Sequence, residues 1–340
     1  MAKAAGVFFF SEPITNIDMN SGLVEERCEA RTSLVERLKP RLAVEEHFAR
    51  TGHTYRHSKI YRVVENGVLR PTLKMGLRAI GLYAVGLRNA LSPKVHHITL
   101  RYPNLPPAFD GFRLLQISDF HIDGVDGLAE VLHGILREIR MDLCVFTGDY
   151  RFEDRGPCDD VYPRMRKVIE AIAAENGILG ILGNHDSAEI AVRLEELGVR
   201  MLVNESVEIH RGGDGIWVSG VDDPFDYRCA NLPLALQPVP KSAFKVLLAH
   251  APEMYHEAAE SSFDLYLSGH THAGQIRLPL LGAVKHNANC PKQYAHGLWR
   301  HQTMWGYTTS GVGCSAVPVR FNCPPEMVIF ELKRGGETLK

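Results

Sequence analysis

The sequence lacks both a long hydrophobic run and an excess of charge of one sign. Its most apolar N-terminal stretch, residues 79–87, is far shorter than the roughly 20 residues that a membrane-spanning helix needs. The apolar run within residues 1–10 ends too early for a signal peptide. Lys and Arg number 38 against 40 Asp and Glu, a formal net charge of -2. We therefore expect no spanning helix, no secretion signal and no nucleic-acid partner.

Cysteine is sparse, and its spacing suits neither a disulfide framework nor a thiolate metal site. The seven cysteines are odd in number, and no two of them form a Cys-x-x-Cys pair. This pattern argues against a zinc knuckle and against paired disulfides. Cys144 lies inside an apolar run, where a small core residue is its expected role. A reducing compartment, the cytoplasm, is the simplest location.

Histidine, in contrast, is abundant, with 16 residues, and several histidines stand where apolar runs end. Five short, strand-like apolar runs are each followed by an oxygen or imidazole side chain. The runs are 112–117, 143–147, 178–182, 244–249 and 265–268. In α/β sheets, ligands gather outside the carboxyl ends of the strands. We therefore expect the side chains that follow these runs to lie together in one site.

Helical patterns alternate with these strands, which predicts an α/β fold. Helical spacing occurs at 127–139, 161–175 and 188–197, as is typical of βαβ units with a parallel sheet. After residue 200 the sequence changes to short strands and glycine-rich turns, which predicts a second, partly antiparallel sheet. The last strands of this second sheet are expected at 304–309 and 326–332.

The N-terminal part differs in character, so we predict a partly helical extension at 1–93 and a catalytic domain at 94–340. Residues 31–50 mix apolar and charged side chains, which indicates one or two short helices broken at Pro40. The extension is expected to act as a membrane-surface segment or as a packing element.

Residues 70–91 have the pattern of one basic amphipathic helix. Arg70, Lys74 and Arg78 fall four residues apart beside an apolar face. Such a helix either lies in a membrane interface, with its cations on anionic lipid headgroups, or packs on the catalytic domain with its charges in water. The sequence leaves both interpretations open.

The side chains that follow the five runs offer enough oxygen and imidazole ligands for two metal ions. A lone histidine is more often structural than a ligand, but repetition after five strands argues against that interpretation here. A glycine precedes three of these residues and lets the chain turn sharply close to a bound ion. The candidate ligands are Asp119, His121, Asp149, Asn184, His250, His270 and His272.

The order of these motifs resembles the signature of calcineurin-like metallophosphoesterases: Asp-x-His, Gly-Asp, Gly-Asn-His-Asp, a lone His and Gly-His-Thr-His. The resemblance covers residues 95–332 and implies a four-layer α/β/β/α sandwich of two mixed sheets. It assigns one divalent ion to Asp119, His121 and His272, and a second ion to Asn184, His250 and His270. Asp149 would bridge both ions, one carboxylate oxygen facing each.

The resemblance also implies a mechanism. A hydroxide bridging the two ions would attack phosphorus in line. Asn184 and His185 are expected at the substrate phosphate, where His185 stabilises the transition state or protonates the leaving oxygen, and Asp186 is expected to orient His185. The oxygen and nitrogen ligands suit Mn²⁺, Fe or Zn²⁺, and we expect Mn²⁺ to support activity in vitro.

Finer motifs at 269–276 and 310–326 resemble bacterial phosphoesterases tethered to the inner membrane. That branch includes, or lies close to, hydrolases that cleave the pyrophosphate of UDP-2,3-diacylglucosamine in lipid A biosynthesis. Its members commonly carry an N-terminal membrane helix, whereas residues 70–91 are too charged to span. Peripheral attachment to the cytoplasmic face of the inner membrane is the corresponding expectation for this chain.

Three functions are compatible with these patterns. The first is a two-metal phosphohydrolase that cleaves a phosphodiester or pyrophosphate bond at a membrane surface. The second is a soluble phosphodiesterase for nucleotides or small phosphate esters, which is favoured if the N-terminal segment exposes no apolar surface. The third, a non-catalytic metal-binding regulatory protein, is disfavoured because every expected ligand and His185 are present. The loops at 222–229 and 285–300 are expected to determine the substrate.

Overall fold

The computed structural model describes residues 21–51, 65–279, 282–283 and 288–336, with side chains described from residue 33 in the first range and from residue 67 in the second. Its strands, in chain order, are β1 (Lys94–Tyr102), β2 (Phe112–Ile117), β3 (Arg140–Met141), β4 (Leu143–Phe146), β5 (Ala173–Ala174), β6 (Ile178–Gly180), β7 (Val199–Met201), β8 (Glu205–Arg211), β9 (Asp214–Gly220), β10 (Lys245–Leu248), β11 (Leu265–Ser268), β12 (Arg277–Leu278), β13 (Gly282–Ala283), β14 (Gly297–His301), β15 (Met304–Thr308) and β16 (Glu326–Arg334).

The α-helices surround these strands and extend N-terminally. In chain order they are α1 (Ser21–Thr51), α2 (Arg70–Ala79), α3 (Leu82–Ala90), α4 (Leu128–Leu136), α5 (Val161–Glu170), α6 (Ala188–Glu196), α7 (Leu232–Ala235) and α8 (Tyr255–Glu260). A short π-helix at Glu65–Leu69 leads directly into α2. None of the described helices combines the length and the apolarity needed to cross a membrane.

Two six-stranded mixed sheets form the centre of the fold. The first has the order β1-β16-β2-β4-β6-β7, and the second β14-β15-β11-β10-β9-β8. The ligand-bearing strands β2, β4 and β6 run parallel in the first sheet, and β10 and β11 run parallel in the second. The candidate site is therefore built from the carboxyl ends of strands in both sheets.

Successive side chains along each strand point to opposite faces of the sheet, and this alternation explains how the layers pack. Leu114 and Val145 face the second sheet, whereas their neighbours Leu115 and Cys144 face the helices outside the first sheet. On the second sheet, Leu247 packs with α7 and α8 on the outer side. Apolar side chains thus fill all three interfaces, and the predicted four-layer α/β/β/α sandwich is confirmed.

The position predicted for the last strand was wrong. β16 belongs to the first sheet, where it lies between β1 and β2. Its alternate side chains are buried on both faces: Val328 and Phe330 face the layer between the sheets, and Met327 and Ile329 face the helices. A strand that is buried on both faces suits a central position, which the short apolar run alone did not reveal.

The predicted break at Pro40 was also wrong, because α1 runs through this residue. A proline inside a helix removes one backbone hydrogen bond and costs about 3 kcal/mol. Leu34 and Leu38 before it, and Arg41 and Phe48 after it, are all buried. Packing on both sides of Pro40 therefore holds the helix together.

Residues 70–91 form two helices instead of the predicted one. Gly81, with φ 73°, separates α2 from α3. None of the side chains of α2 is buried, whereas α3 buries Gly86 and Ala90. The two halves of the predicted amphipathic helix thus have different environments, while the domain boundary at residue 93 stays a prediction.

Candidate metal centre

The predicted ligands occupy an unusual backbone conformation. Five of them have positive φ: Asp119 (51°), His121 (37°), Asp149 (59°), His270 (70°) and His272 (48°). Non-glycine residues are uncommon in this region, and such strain tends to cluster at functional sites. Left-handed turns at Asp119 and His121, and not an extended backbone, direct their side chains into the site. Backbone hydrogen bonds from Asp119 N to Gly148 O and from His121 N to Asp149 O stabilise these turns.

One cluster of ligand atoms joins the ends of β2 and β11. His121 Nε2 lies 3.1 Å from His272 Nε2. His272 Nε2 in turn lies 3.4 Å from Asp119 Oδ1. His121 Nε2 is 3.5 Å from Asp149 Oδ2, which brings the carboxylate that follows β4 to the edge of this cluster.

A second cluster lies on the other side of Asp149. Asn184 Oδ1 is 3.1 Å from His250 Nε2 and 2.8 Å from His270 Nδ1. His250 Nε2 is also 3.3 Å from Asp149 Oδ2. The structure therefore brings all seven predicted ligands together in the two predicted sets, with Asp149 between them.

The way in which Asp149 joins the clusters differs from the expectation. Its Oδ2 atom faces both clusters, whereas Oδ1 accepts a hydrogen bond from the His185 backbone amide at 2.9 Å. The two carboxylate oxygens therefore do not each face one cluster. The backbone donor occupies one oxygen and leaves the other to be shared.

The donor atoms fit divalent metal ions. Groups of three ligand atoms come within 4.8 Å of one another around Asp119, His121 and His272, and around Asp149, His250 and His270. Nitrogen and oxygen ligands lie about 2.0–2.2 Å from an ion such as Zn²⁺, so neighbouring ligand atoms about 3 Å apart match one coordination sphere. A third group combines His121 and Asp149 with His185, which places His185 beside the first cluster.

Backbone carbonyls orient two of the histidines. His121 Nδ1 lies 2.7 Å from Arg151 O, and His250 Nδ1 lies 2.7 Å from Thr147 O. A carbonyl oxygen can only accept, so Nδ1 carries the hydrogen in both rings. The Nε2 atoms are thereby directed towards the clusters, as in many metal sites where the second ring nitrogen is held by an acceptor.

Burial and proximity shift the pKa values of these groups strongly. Burial raises the pKa of Asp119 to about 6 and, together with nearby His185, lowers that of His121 to about 3. Burial opposes the charge of Asp149, but His250 holds its pKa well below the usual value. Burial likewise opposes the charge of His250, but Asp149 raises its pKa to about 10. The Asp149 carboxylate therefore favours a positive charge on His250, whereas burial favours the neutral form of His121.

Asp186 does not contact the His185 ring, which corrects the expected pairing. Its carboxylate is fully buried and accepts hydrogen bonds from the backbone amides of Asp149, Tyr150 and Gly183. His185 Nδ1 instead lies 2.7 Å from Phe152 O. Two amide donors in the loop after β4 and one in its own segment hold the Asp186 carboxylate, and the Phe152 carbonyl orients His185 instead.

The loop at 222–229 reaches the second cluster, while its role in substrate choice stays a prediction. The Asp223 carboxylate accepts from the backbone amides of Phe225, Asp226 and Tyr227, which folds the loop tightly. The Phe225 ring lies 3.9 Å from the His270 ring, centroid to centroid. Part of the other predicted loop, residues 285–287 of 285–300, lies outside the described residues.

Sequence reasoning missed the contribution of α1. Arg41, Glu45 and Phe48 continue the helical face that begins with Leu34 and Leu38. These spacings place all five on one side of a helix, so two charged residues in an otherwise apolar stripe were the available signal. Glu45 accepts from the Ala188 amide at the start of α6, and the Phe48 ring packs against Tyr227.

A cavity of about 270 Å³ opens between α1 and the loops of the site. Asn184 and Asp226 are among its lining residues, and Asp226 Oδ2 lies 3.4 Å from Asn184 Nδ2. Phe48, Arg151, Arg155 and Tyr227 are among the other lining residues. This cavity is next to a predicted metal ligand and is therefore a candidate for part of the substrate site.

Comparison with known proteins supports the metal centre independently of this geometry. A family model described as calcineurin-like phosphoesterase matches residues 112–274, which contain every predicted ligand. The uncharacterised metallophosphoesterase YkuE of Bacillus subtilis is 30% identical over 253 residues, covering 69% of this chain and 84% of that protein. An uncharacterised metallophosphoesterase of Helicobacter pylori strain J99 is 36% identical over 283 residues, which cover 78% of this chain and 71% of that protein. The phosphodiesterase YaeI of Escherichia coli is 28% identical over 230 residues, which cover 65% of this chain and 82% of that protein.

Proposed function

Because this chain belongs to the calcineurin-like phosphoesterase family and is a metal-dependent phosphoesterase, we propose that it cleaves a phosphodiester or pyrophosphate bond with two bound divalent ions. One observation carries this proposal: two clusters of ligand atoms share the Oδ2 atom of Asp149. A carboxylate shared between two ligand sets suits a two-metal site, in which two ions about 3.5–4 Å apart stabilise the attacking and leaving oxygens.

Divalent ions bound at these clusters would neutralise phosphoryl oxygens and lower the pKa of a water molecule enough to supply a nucleophile. The protein positions the metal-ligating side chains and supplies a proton to the leaving oxygen. His185 Nδ1 donates to Phe152 O, so its Nε2 is the atom that exchanges a proton with the leaving oxygen. The Asn184 side chain, next to the cavity, holds the substrate phosphate close to His185.

Activity against chromogenic esters tests the proposal directly. Metal-stripped protein is assayed on bis-p-nitrophenyl phosphate and p-nitrophenyl phosphate, with Mn²⁺, Fe²⁺ or Zn²⁺ added back, beside Asp149→Ala. We expect diester cleavage that requires metal, is supported best by Mn²⁺ and is absent from the variant. We expect the diester to be the better substrate, because the E. coli relative is named a phosphodiesterase. Metal-independent cleavage, or normal activity of Asp149→Ala, contradicts the proposal.

We further propose that the protein works on anionic lipid surfaces at the cytoplasmic face of the inner membrane. Large apolar side chains are exposed around α2, with Met75 and Ile80 both 67% exposed. Lys74 and Arg78 belong to the same segment and provide positive charge. Apolar side chains beside cations are typical of helices that lie in a membrane interface.

The position of α2 supports this proposal. Arg70 at its start forms an ion pair with Glu153 at 3.2 Å, and its guanidinium lies over the Phe152 ring at 5.8 Å. Phe152 O is the acceptor for His185. Through Arg70, the helix with the exposed apolar surface thus contacts the loop that orients His185. A lipid-linked pyrophosphate such as UDP-2,3-diacylglucosamine, from lipid A biosynthesis, is therefore a rational first lipid substrate to test.

Vesicle sedimentation tests the membrane proposal. The double variant Met75→Glu/Ile80→Glu should lose binding to vesicles that contain phosphatidylglycerol, because it adds negative charge to the apolar surface. Leu298→Glu is the matched control, since Leu298 is 43% exposed but lies on β14, away from α2. Wild-type protein that ignores anionic vesicles, or equal loss in both variants, contradicts the proposal.

A soluble phosphodiesterase for nucleotides or small phosphate esters is the second candidate. The cavity beside Asn184, of about 270 Å³, has the size of a compact substituent, which favours a small substrate. Comparing kcat/KM for nucleotide diesters with that for UDP-2,3-diacylglucosamine separates the two candidates. Faster turnover of the nucleotide, without vesicle binding, identifies the soluble function.

A further inference from the structure

Arg41 of α1 is a fully buried arginine that reaches into the loops of the metal centre. It is 0% exposed. Its Nε and Nη2 atoms donate to Asp222 Oδ1 at 2.9 and 2.8 Å. Nη2 also donates to Gly183 O at 2.9 Å, and Nη1 donates to Asp186 O. One side chain from the N-terminal helix thus binds two separate loops of the catalytic part.

The guanidinium remains charged in this position. Burial opposes its charge, but the Asp222 carboxylate outweighs burial and raises the pKa of Arg41 above its usual value. The group also stacks on the Tyr227 ring, 3.7 Å from the ring centroid. A planar fork with several N–H donors can hold a carboxylate and two carbonyls at once, which a lysine ammonium group cannot reproduce.

The two carbonyls that Arg41 binds enclose the functional part of the Gly-Asn-His-Asp segment. Gly183 and Asp186 are its first and last residues, and between them lie Asn184 of the second cluster and His185. The described segment lies outside the helices and strands. The segment is also held by the Asp186 carboxylate, which accepts from the Gly183 amide at 2.8 Å, and by the His185 amide, which donates to Asp149 Oδ1.

We propose that Arg41 is a positioning residue that holds residues 183–186 so that Asn184 faces the second metal cluster and His185 faces the substrate. This inference rests on the function proposed above. It makes α1 part of the catalytic apparatus, although α1 lies more than 130 residues before that segment in the chain.

The inference predicts an asymmetric defect. Asn184 belongs to the second cluster alone, whereas Asp119, His121 and His272 of the first cluster make no contact with Arg41 among the described hydrogen bonds. The first cluster depends on this segment only through Asp149, whose Oδ1 accepts from the His185 amide. Loss of Arg41 should therefore weaken the second ion much more than the first. A general loss of folding would weaken both ions together.

The experiment measures Mn²⁺ bound per chain by equilibrium dialysis at graded free Mn²⁺, for wild type, Arg41→Ala, Arg41→Lys and Arg37→Ala. Arg37 is the matched control, because it lies one turn earlier on α1 and pairs with Glu205, outside the metal centre. We expect Arg41→Ala to weaken the binding of one ion at least tenfold more than that of the other. Arg37→Ala should bind both ions normally.

Chemical rescue separates positioning from a packing defect. Added guanidinium ion should restore the second ion in Arg41→Ala, because it can occupy the vacated site, and should have no effect in Arg37→Ala. In addition, kcat of Arg41→Ala on bis-p-nitrophenyl phosphate should fall at least tenfold, with partial recovery in guanidinium. Arg41→Lys should show the same selective weakening, because its ammonium group cannot bridge all three acceptors.

The inference is overturned if Arg41→Ala binds both ions as tightly as wild type does. It is also overturned if both ions are weakened equally and guanidinium does not restore them. If Arg41→Ala does not fold, Arg41→Lys decides on the same readout, and normal binding of both ions by that variant overturns it. The dialysis result does not depend on turnover. A wild type that binds two ions but cleaves no ester refutes the proposed function alone and leaves Arg41 to be judged by metal binding.

Discussion

At the residue scale, His185 has two competing roles, because it can contribute to a ligand group or serve as a proton donor. Its Nδ1 is held by Phe152 O, and its backbone amide donates to Asp149 Oδ1. His185→Ala should therefore keep both metal ions while kcat falls by roughly 10²–10⁴-fold, the usual contribution of a general acid. The loss should be larger for an alkyl ester than for a p-nitrophenyl ester, whose leaving group departs without a proton. Loss of an ion, measured by metal content, would make His185 a ligand instead.

Gly269 illustrates how closely the ligand loops approach one another. A Cβ atom at this position would lie 2.2 Å from Asp119 Oδ2 and 2.1 Å from Ser118 Oγ. We expect Gly269→Ala to displace Asp119 and to lower metal content and turnover together. Gly134→Ala is the control, since a Cβ there meets nothing within 4 Å and the helix α4 should gain about 1 kcal/mol. Full metal content in Gly269→Ala would show that the loop adjusts.

At the scale of elements, α2 and α3 differ in what they contact. Gly86 in α3 packs directly on the segment after the site, where a Cβ would lie 2.6 Å from Val319 Cβ. The Gly86 carbonyl accepts from the Arg320 amide, and Asn89 Nδ2 donates to Arg320 O. Gly76 in α2 has open space around it. α3 therefore docks through a close backbone approach, whereas α2 does not.

This difference predicts opposite effects of the same substitution in the two helices. Gly86→Ala should lower the free energy of unfolding by about 1–3 kcal/mol, because overpacking forces the backbones apart. Gly76→Ala should raise the stability of α2 by up to about 1 kcal/mol through helix propensity. Urea unfolding measures both. Equal free energies for wild type and Gly86→Ala would mean that α3 does not dock as the structure shows.

At the scale of the whole molecule, the metal centre links the two sheets. β2, β4 and β6 of the first sheet and β10 and β11 of the second all end at the two clusters. Ions that bind only the folded state stabilise it by about 2.7 kcal/mol per site at one hundred times the dissociation constant. Chelation should therefore lower the melting temperature of wild type, and added Mn²⁺ should restore it. Asp149→Ala should respond much less to either treatment, and an unchanged wild-type melting temperature would contradict this link.

The arrangement of chain segments shows where sequence reasoning stopped. The run at 112–117 was predicted as a strand with the same bounds as β2, because its apolar pattern is local. The place of β16 between β1 and β2 depends on pairing over more than 200 residues, and no local pattern encodes it. The continuity of α1 through Pro40 is likewise not encoded locally, because tertiary packing outweighs the tendency of proline to break a helix.

The sequence by itself determined which side chains follow the strands, because ligand-type residues directly after apolar runs are a local feature. Only the tertiary structure decided how they are used. It joined the ends of two sheets, turned Asp149 so that one oxygen faces both clusters, and directed Asp186 to backbone amides instead of His185. It also brought Arg41 to the carbonyls of Gly183 and Asp186. The physical reason is that every residue except proline offers the same backbone donor and acceptor, so their partners depend on the fold and not on side-chain identity.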